Sequence, residues 1–136
     1  MVVLKDESAP IRSSIDVMRV RQIVREWAVS LGFSLVDQTK VVTAASELAR
    51  NTMVYGGGGE LRMEALNSDT RRGLRLTFSD QGPGIADMEQ AMKDGFSTGA
   101  GLGLGLGGAK RLANEFAIDS RPGQGTTVTI LRWNKL

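Results

Sequence analysis

Glu47 and Asn51 stand four residues apart in the stretch ASELARN. On a helix that spacing puts both on one face, one turn from each other. A carboxylate there can act as a base. An amide oxygen can ligate a hard metal such as Mg²⁺, which takes oxygen donors and keeps several waters. Asparagine is a weak helix former, so its place in mid-helix calls for a reason, although a solvated polar face would also carry both residues. In SDQGPGIAD, Asp80 can accept a hydrogen bond from a base amine, and Gly82 and Gly84 allow a tight turn and close ligand approach. Asp, Gly and Pro are equally the residues of an ordinary turn. In GAGLGLGLGGAKRL, from Gly99 to Leu112, glycine alternates with leucine ahead of a helical pattern. Backbone N–H groups without side chains can approach an anion, and a loop of that kind opening a helix places the positive helix end on phosphate. Leu102, Leu104 and Leu106 argue for an anchored loop rather than a solvated linker. Finally, PGQGTTVTI places Gly123 and Gly125 in a hairpin turn, with the Thr126 and Thr127 hydroxyls at a strand start where they could reach a neighbouring ligand.

Two familiar glycine motifs do not fit. Gly103, Gly105 and Gly108 match G-x-G-x-x-G, but the preceding residues have loop chemistry where a dinucleotide fold needs a buried strand. Lys110 lies between Ala109 and Arg111, so the lysine and hydroxyl residue of a Walker loop are missing.

The elements that must carry these residues follow from periodicity. Val2 to Lys5 reads as a short strand, interrupted by Pro10. From Asp16, apolar residues recur at helical spacing through Leu31, and Gly32 marks the stop. Ser34 is a cap for a second helix that carries Glu47 and Asn51 and ends at Gly56–Gly59. Alternation at Leu61, Met63 and Ala65, and again at Leu74, Leu76 and Phe78, predicts a hairpin with Asn67–Gly73 as its turn. Asp87–Lys93 reads as one or two helical turns, Gly105–Asn114 as a helix, Phe116–Ser120 as a short strand and Thr127–Arg132 as the last strand. The order predicts an α+β domain over residues 1–136, with helices on one face of a largely antiparallel sheet.

Composition narrows the chemistry. With no cysteine and no histidine among 136 residues, a thiolate metal site, a histidine base and a self-phosphorylated histidine are all excluded. The net charge of +2 is too balanced to argue for nucleic acid. The N-terminus lacks the apolar core of a signal peptide, and no apolar run is long enough to span a membrane. A cytoplasmic location is the expectation.

Taken together, in this order, the motifs resemble those of the GHKL ATPases, the family of gyrase, the large heat-shock chaperone, MutL and histidine-kinase catalytic domains. Glu47 and Asn51 match its E-x-x-x-N box, and Asp80, Gly82 and Gly84 match its D-x-G-x-G box. Gly101, Gly103, Leu104, Gly105, Leu106 and Lys110 match its second glycine box, and Gly123, Gly125 and Thr126 its final G-x-G-T. The resemblance covers roughly residues 15–132 and implies the two-layer α/β sandwich called the Bergerat fold. SELARNTMVYGGGG, DQGPGIADMEQAMKDGFSTGAGLGLGL and KRLANEFAIDSRPGQGTTV look most like the RsbT-type serine/threonine kinases, which act as switches in the bacterial stressosome. Tyr55 stands where other members often have histidine.

The resemblance implies an ATP- and Mg²⁺-dependent kinase that phosphorylates STAS-domain scaffold and antagonist proteins and, on release, activates a phosphatase. The alternative it leaves open is a nucleotide-dependent binding module, such as an anti-sigma factor, with little catalysis. It implies that Asp80 reads the adenine amine, helped by water and by Thr126 or Thr127. Asn51 would ligate Mg²⁺, Glu47 would act as general base, and a lid from Ile85 to Gly103 would close over ATP or ADP. Gly82, Gly84, Ile85, Gly101, Leu102, Gly103, Leu104, Gly105 and Leu106 would complete the nucleotide contacts. Arg50 and Lys110 carry two readings each, a phosphate contact or a solvated charge. The lid is short, so a docked partner is expected to complete the site.

Overall fold

The computed structural model describes residues 1–85, 91–92 and 105–135. The Ser13 hydroxyl accepts the Asp16 N–H at 3.4 Å and starts helix α1, Ser14–Ser30. That helix closes with two reverse bonds: the Phe33 N–H donates to the Ala28 carbonyl and the Gly32 N–H to the Val29 carbonyl, both at 3.0 Å. The Ser34 hydroxyl then accepts the Asp37 N–H at 3.1 Å and starts α2, Leu35–Val54. Both caps satisfy helix-end donors that would otherwise lack a partner.

Among the described residues five strands form the sheet: β1 (Val2–Ile11), β2 (Gly59–Ser68), β3 (Arg71–Asp80), β4 (Glu115–Ser120) and β5 (Thr126–Lys135). A short helix α3, Gly105–Arg111, precedes β4. The sheet order is β1-β2-β3-β5-β4, and each pairing is antiparallel. Leu61, Met63, Leu74, Leu76, Phe78, Val128 and Ile130 line one sheet face and form a single core with Val20, Val24, Trp27, Val41, Ala45 and Leu48 of the helices. Leu48 is 1% exposed, so truncating it to alanine would cost about 2–5 kcal/mol. This is the two-layer α+β sandwich that the motifs imply.

The structure corrects the sequence reading in three places. Pro10 does not interrupt the first strand: β1 runs on to Ile11, with Pro10 opposite Glu60. As an edge strand, β1 has a free side on which a missing N–H costs no ladder bond. The turn expected over Asn67–Gly73 is much shorter, because Ser68 pairs with Arg71 and only Asp69 and Thr70 lie between the strands. Polar residues there are strand residues, half-buried or exposed at the sheet's end rather than loop. Helix α3 stops at Arg111 instead of Asn114, because the Asn114 N–H donates to the Leu131 carbonyl at 2.9 Å, drawing the chain toward the sheet. The helical turns expected over Asp87–Lys93 fall mostly outside the described residues.

A half-buried cation ties the layers together. Arg132 of β5 donates from Nη2 to Asp37 Oδ1 at 2.7 Å and from Nη1 to the Leu112 carbonyl at 3.0 Å. It therefore holds the start of α2 and the end of α3 to the sheet, and the guanidinium keeps the Asp37 carboxyl below its ordinary value.

Candidate active site

Asp80 ends β3, and the backbone fixes its carboxylate. Oδ1 accepts the Gly82 N–H at 2.9 Å and the Thr126 N–H at 3.2 Å. Gly56, just past the end of α2, stands against the other side: a Cβ there would come within 2.5 Å of Asp80 Oδ2. Gly82 approaches Gly56 in turn, with an added Cβ only 2.7 Å from its Cα. The glycines after α2 and after β3 thus let two turns meet around one carboxylate.

The final glycine turn closes the same corner. The Gly123 N–H donates to the Pro83 carbonyl at 2.6 Å, and the Ile85 N–H donates to the Ser120 hydroxyl at 2.9 Å. Gly84, at φ 77°, would drive a Cβ into the Arg121 carbonyl, and Gly125, at φ 82°, would drive one into the Asp80 carbonyl. Glycine is required at both by conformation and by space.

These contacts enclose a pocket of about 280 Å³ between α2, the sheet and the start of α3. Of the residues expected at the site, Asn51, Asp80, Gly84, Ile85, Leu106 and Thr126 line it. Leu48, Thr52, Tyr55, Gly56, Phe78, Ala91 and Val128 complete the wall. An apolar slot with one fixed carboxylate at its edge suits a flat heterocycle carrying an amine. Phe78 was legible from alternation on its strand; the place of Phe78 and Val128 in the pocket wall follows from the strands ending there.

Other expected residues stand apart from the lining. Glu47 lies one turn before Asn51 on α2 and is 3% exposed, beside rather than within the described pocket wall. Thr127 points away: alternation along β5 sends Thr126 and Val128 to the pocket and Thr127 to the exposed outer face. Gly82 shapes the turn without lining the pocket, and Gly105 is buried where α3 begins. Gly101, Leu102, Gly103 and Leu104 lie outside the described residues. Lys110 is exposed on α3, and Arg50 is half-buried on α2. Among the described residues no cluster of three or more acidic side chains could hold a metal. Asn51 lines the pocket with a side-chain amide oxygen, a ligand type that Mg²⁺ accepts beside phosphate and water. Sequence reading missed Ser120 and Gly56, although the run GGGG after α2 was a signal for the second.

Comparison with known proteins shows the family. Residues 36–135 match the family described as histidine kinase-, DNA gyrase B- and HSP90-like ATPase. The chain belongs to this family. It is 46% identical over 118 residues to the serine/threonine-protein kinase RsbT of Bacillus subtilis, covering 87% of this chain and 89% of that protein. That relatedness places it among the family's serine/threonine-protein kinases. It is 26% identical over 117 residues to the anti-sigma F factor of the same organism, covering 82% and 80% of the two chains. In fold it is similar to a solved Mycobacterium tuberculosis protein containing RsbU and RsbW domains, with a TM-score of 0.64 at 22% identity, covering 94% of this chain and 32% of that one.

Proposed function

We propose that this chain is the kinase of a bacterial partner-switching module. It transfers the γ-phosphoryl group of ATP to serine or threonine hydroxyls of STAS-domain scaffold and antagonist proteins in the cytoplasm. When released from them it binds and activates a phosphatase. What carries the reading is the pairing of an Asp80 carboxylate, held by two backbone N–H groups over an apolar pocket, with the likeness to RsbT.

In this reading Asp80 accepts from the adenine amine while Phe78, Val128 and Leu106 exclude water from the ring. Asn51 would hold Mg²⁺ through its amide oxygen, and the bound ion would supply neutralisation of phosphate charge. The incoming hydroxyl oxygen forms a bond to the γ-phosphorus as the bond to the β–γ bridging oxygen breaks. Glu47 takes the hydroxyl proton, leaving a phosphoester and ADP. Phosphoryl transfer depends mainly on positioning and charge neutralisation, so a chain without cysteine or histidine can perform it. Glu47 is buried beside the pocket, which fits a base that a docked substrate must reach.

A second reading is favoured by the likeness to anti-sigma F factors: a nucleotide-set shape that sequesters a regulator, with chemistry secondary. Incubation with γ-labelled ATP and a STAS-domain protein separates the two. Label on a serine or threonine of the STAS protein supports the kinase. Saturable ATP binding with no transfer supports the binding module, and free phosphate alone marks a plain ATPase.

A further inference from the structure

Ser120 belongs to none of the motifs, yet its hydroxyl sits at the junction of three. It is the last residue of β4 and pairs with Thr126, which pairs in turn with Asp80. Ser120, Thr126 and Asp80 therefore form one row across three adjacent strands, and the latter two line the pocket. The Ser120 hydroxyl accepts the Ile85 N–H at 2.9 Å, lies 2.8 Å from Thr126 Oγ1, and lies 3.3 Å from the carbonyl oxygen of the buried Gly125.

A hydroxyl has one proton to give and two lone pairs to offer. One arrangement fills all three. Ser120 donates to the Gly125 carbonyl, and it accepts from Ile85 N–H and from the Thr126 hydroxyl. The reverse arrangement, with Ser120 donating to Thr126, leaves the Gly125 carbonyl without this bond and one Ser120 lone pair unused. In the satisfied arrangement the Thr126 proton is committed to Ser120. Thr126 Oγ1 then meets the pocket with lone pairs alone, beside an Asp80 carboxylate that also only accepts.

We propose that Ser120 is a positioning residue that makes this edge of the pocket acceptor-only and so selects 6-aminopurine over 6-oxopurine nucleotides. The inference rests on the reading of the pocket as a nucleotide site. An exocyclic amine gives its protons to these acceptors, directly or through a water. A 6-oxo group meets lone pairs with a lone pair. Removing the Ser120 hydroxyl frees the Thr126 proton to turn toward the pocket, and the penalty on the 6-oxo base falls.

The test is calorimetric titration of the full chain with ADP and with inosine diphosphate, each with Mg²⁺. The wild type should favour ADP. In Ser120→Ala the ratio of the two affinities should fall about tenfold, the size of one lost hydrogen-bond preference. Ser120→Thr, which restores the hydroxyl, should recover the ratio. A general loosening of the corner would weaken both nucleotides alike and leave the ratio unchanged, which would overturn the proposal. If Ser120→Ala does not fold, Ser120→Cys, a far weaker hydrogen-bonding partner, should lower the ratio in its place. A wild type that binds both nucleotides equally also overturns the role of Ser120 but leaves the nucleotide site standing. A wild type that binds neither overturns both.

Discussion

Asp80 and Thr126, 46 positions apart in the chain, face each other across β3 and β5, and the Thr126 N–H donates to Asp80 Oδ1 at 3.2 Å. The carboxylate is thereby aimed before any ligand arrives. Preorganisation of this kind keeps binding free energy from being spent on ordering the site.

Gly56 guards that aim. A methyl group at Gly56 would come within 2.4 Å of the Asp80 carboxyl carbon, so Gly56→Ala must turn the carboxylate. The expected outcome is a loss of ADP affinity of about tenfold or more, the worth of one charge-assisted hydrogen bond. Calorimetric titration checks it. Unchanged affinity would mean that Asp80 does not bind the nucleotide in the orientation seen here.

Asn51 is assigned to the metal. Asn51→Ala should weaken nucleotide binding in the presence of Mg²⁺ and leave metal-free binding within about twofold, since a single ligand bond to the ion is lost. Paired titrations with Mg²⁺ and with a chelator measure the difference. Equal weakening in both would place Asn51 on the nucleotide itself.

Glu47 is assigned to the chemistry. Glu47→Gln keeps the shape of a buried side chain that is 3% exposed. Phosphate transfer to a STAS-domain protein should fall about a hundredfold or more, as for loss of a general base. ADP affinity should stay within about threefold on the same view, because only the transition state needs the base. Transfer at the normal rate would remove Glu47 from the mechanism.

Acid should weaken the fold through two ion pairs. Arg75 donates from Nε and Nη2 to the two carboxylate oxygens of Glu64, each at 2.9 Å, and holds that carboxyl below its ordinary value of 4.5. Arg132 holds Asp37 below 3.8. A carboxylate whose folded value is depressed contributes stability that is present above its unfolded value and is lost as pH falls through the folded one. The melting temperature should therefore decline below about pH 4.5, and Glu64→Gln should flatten part of that decline while lowering stability at neutral pH. A Glu64→Gln profile parallel to the wild type would show that the pair contributes nothing.

Local signals were read well where local chemistry decides. Ser34 and the glycine run bounded α2 because a cap and a stop lie within one turn of the helix they delimit. The turn at Asp80 was legible because Asp, Gly and Pro together mark a turn at a strand end, and its glycines permit the close approach to Gly56. What was not legible depends on partners distant in sequence. Pro10 belongs to a strand because β1 is an edge, a fact of sheet order. Thr126 and Thr127 could not be separated until the register of β5 against β3 showed which one faces the pocket. Ser120 carries no motif at all, and its role comes from meeting Ile85 and Thr126 across the fold.

We propose that this pocket binds an adenine nucleotide through the Asp80 carboxylate. Titration of wild type and Asp80→Asn with ATP and Mg²⁺ tests it most directly. Asparagine can still accept both backbone N–H bonds but turns the pocket-facing oxygen into a donor. The wild type should bind saturably, and Asp80→Asn should bind about tenfold to a hundredfold more weakly, with an unchanged melting temperature for the free protein. Equal ATP affinity in the two proteins, or no saturable binding by the wild type, would contradict it.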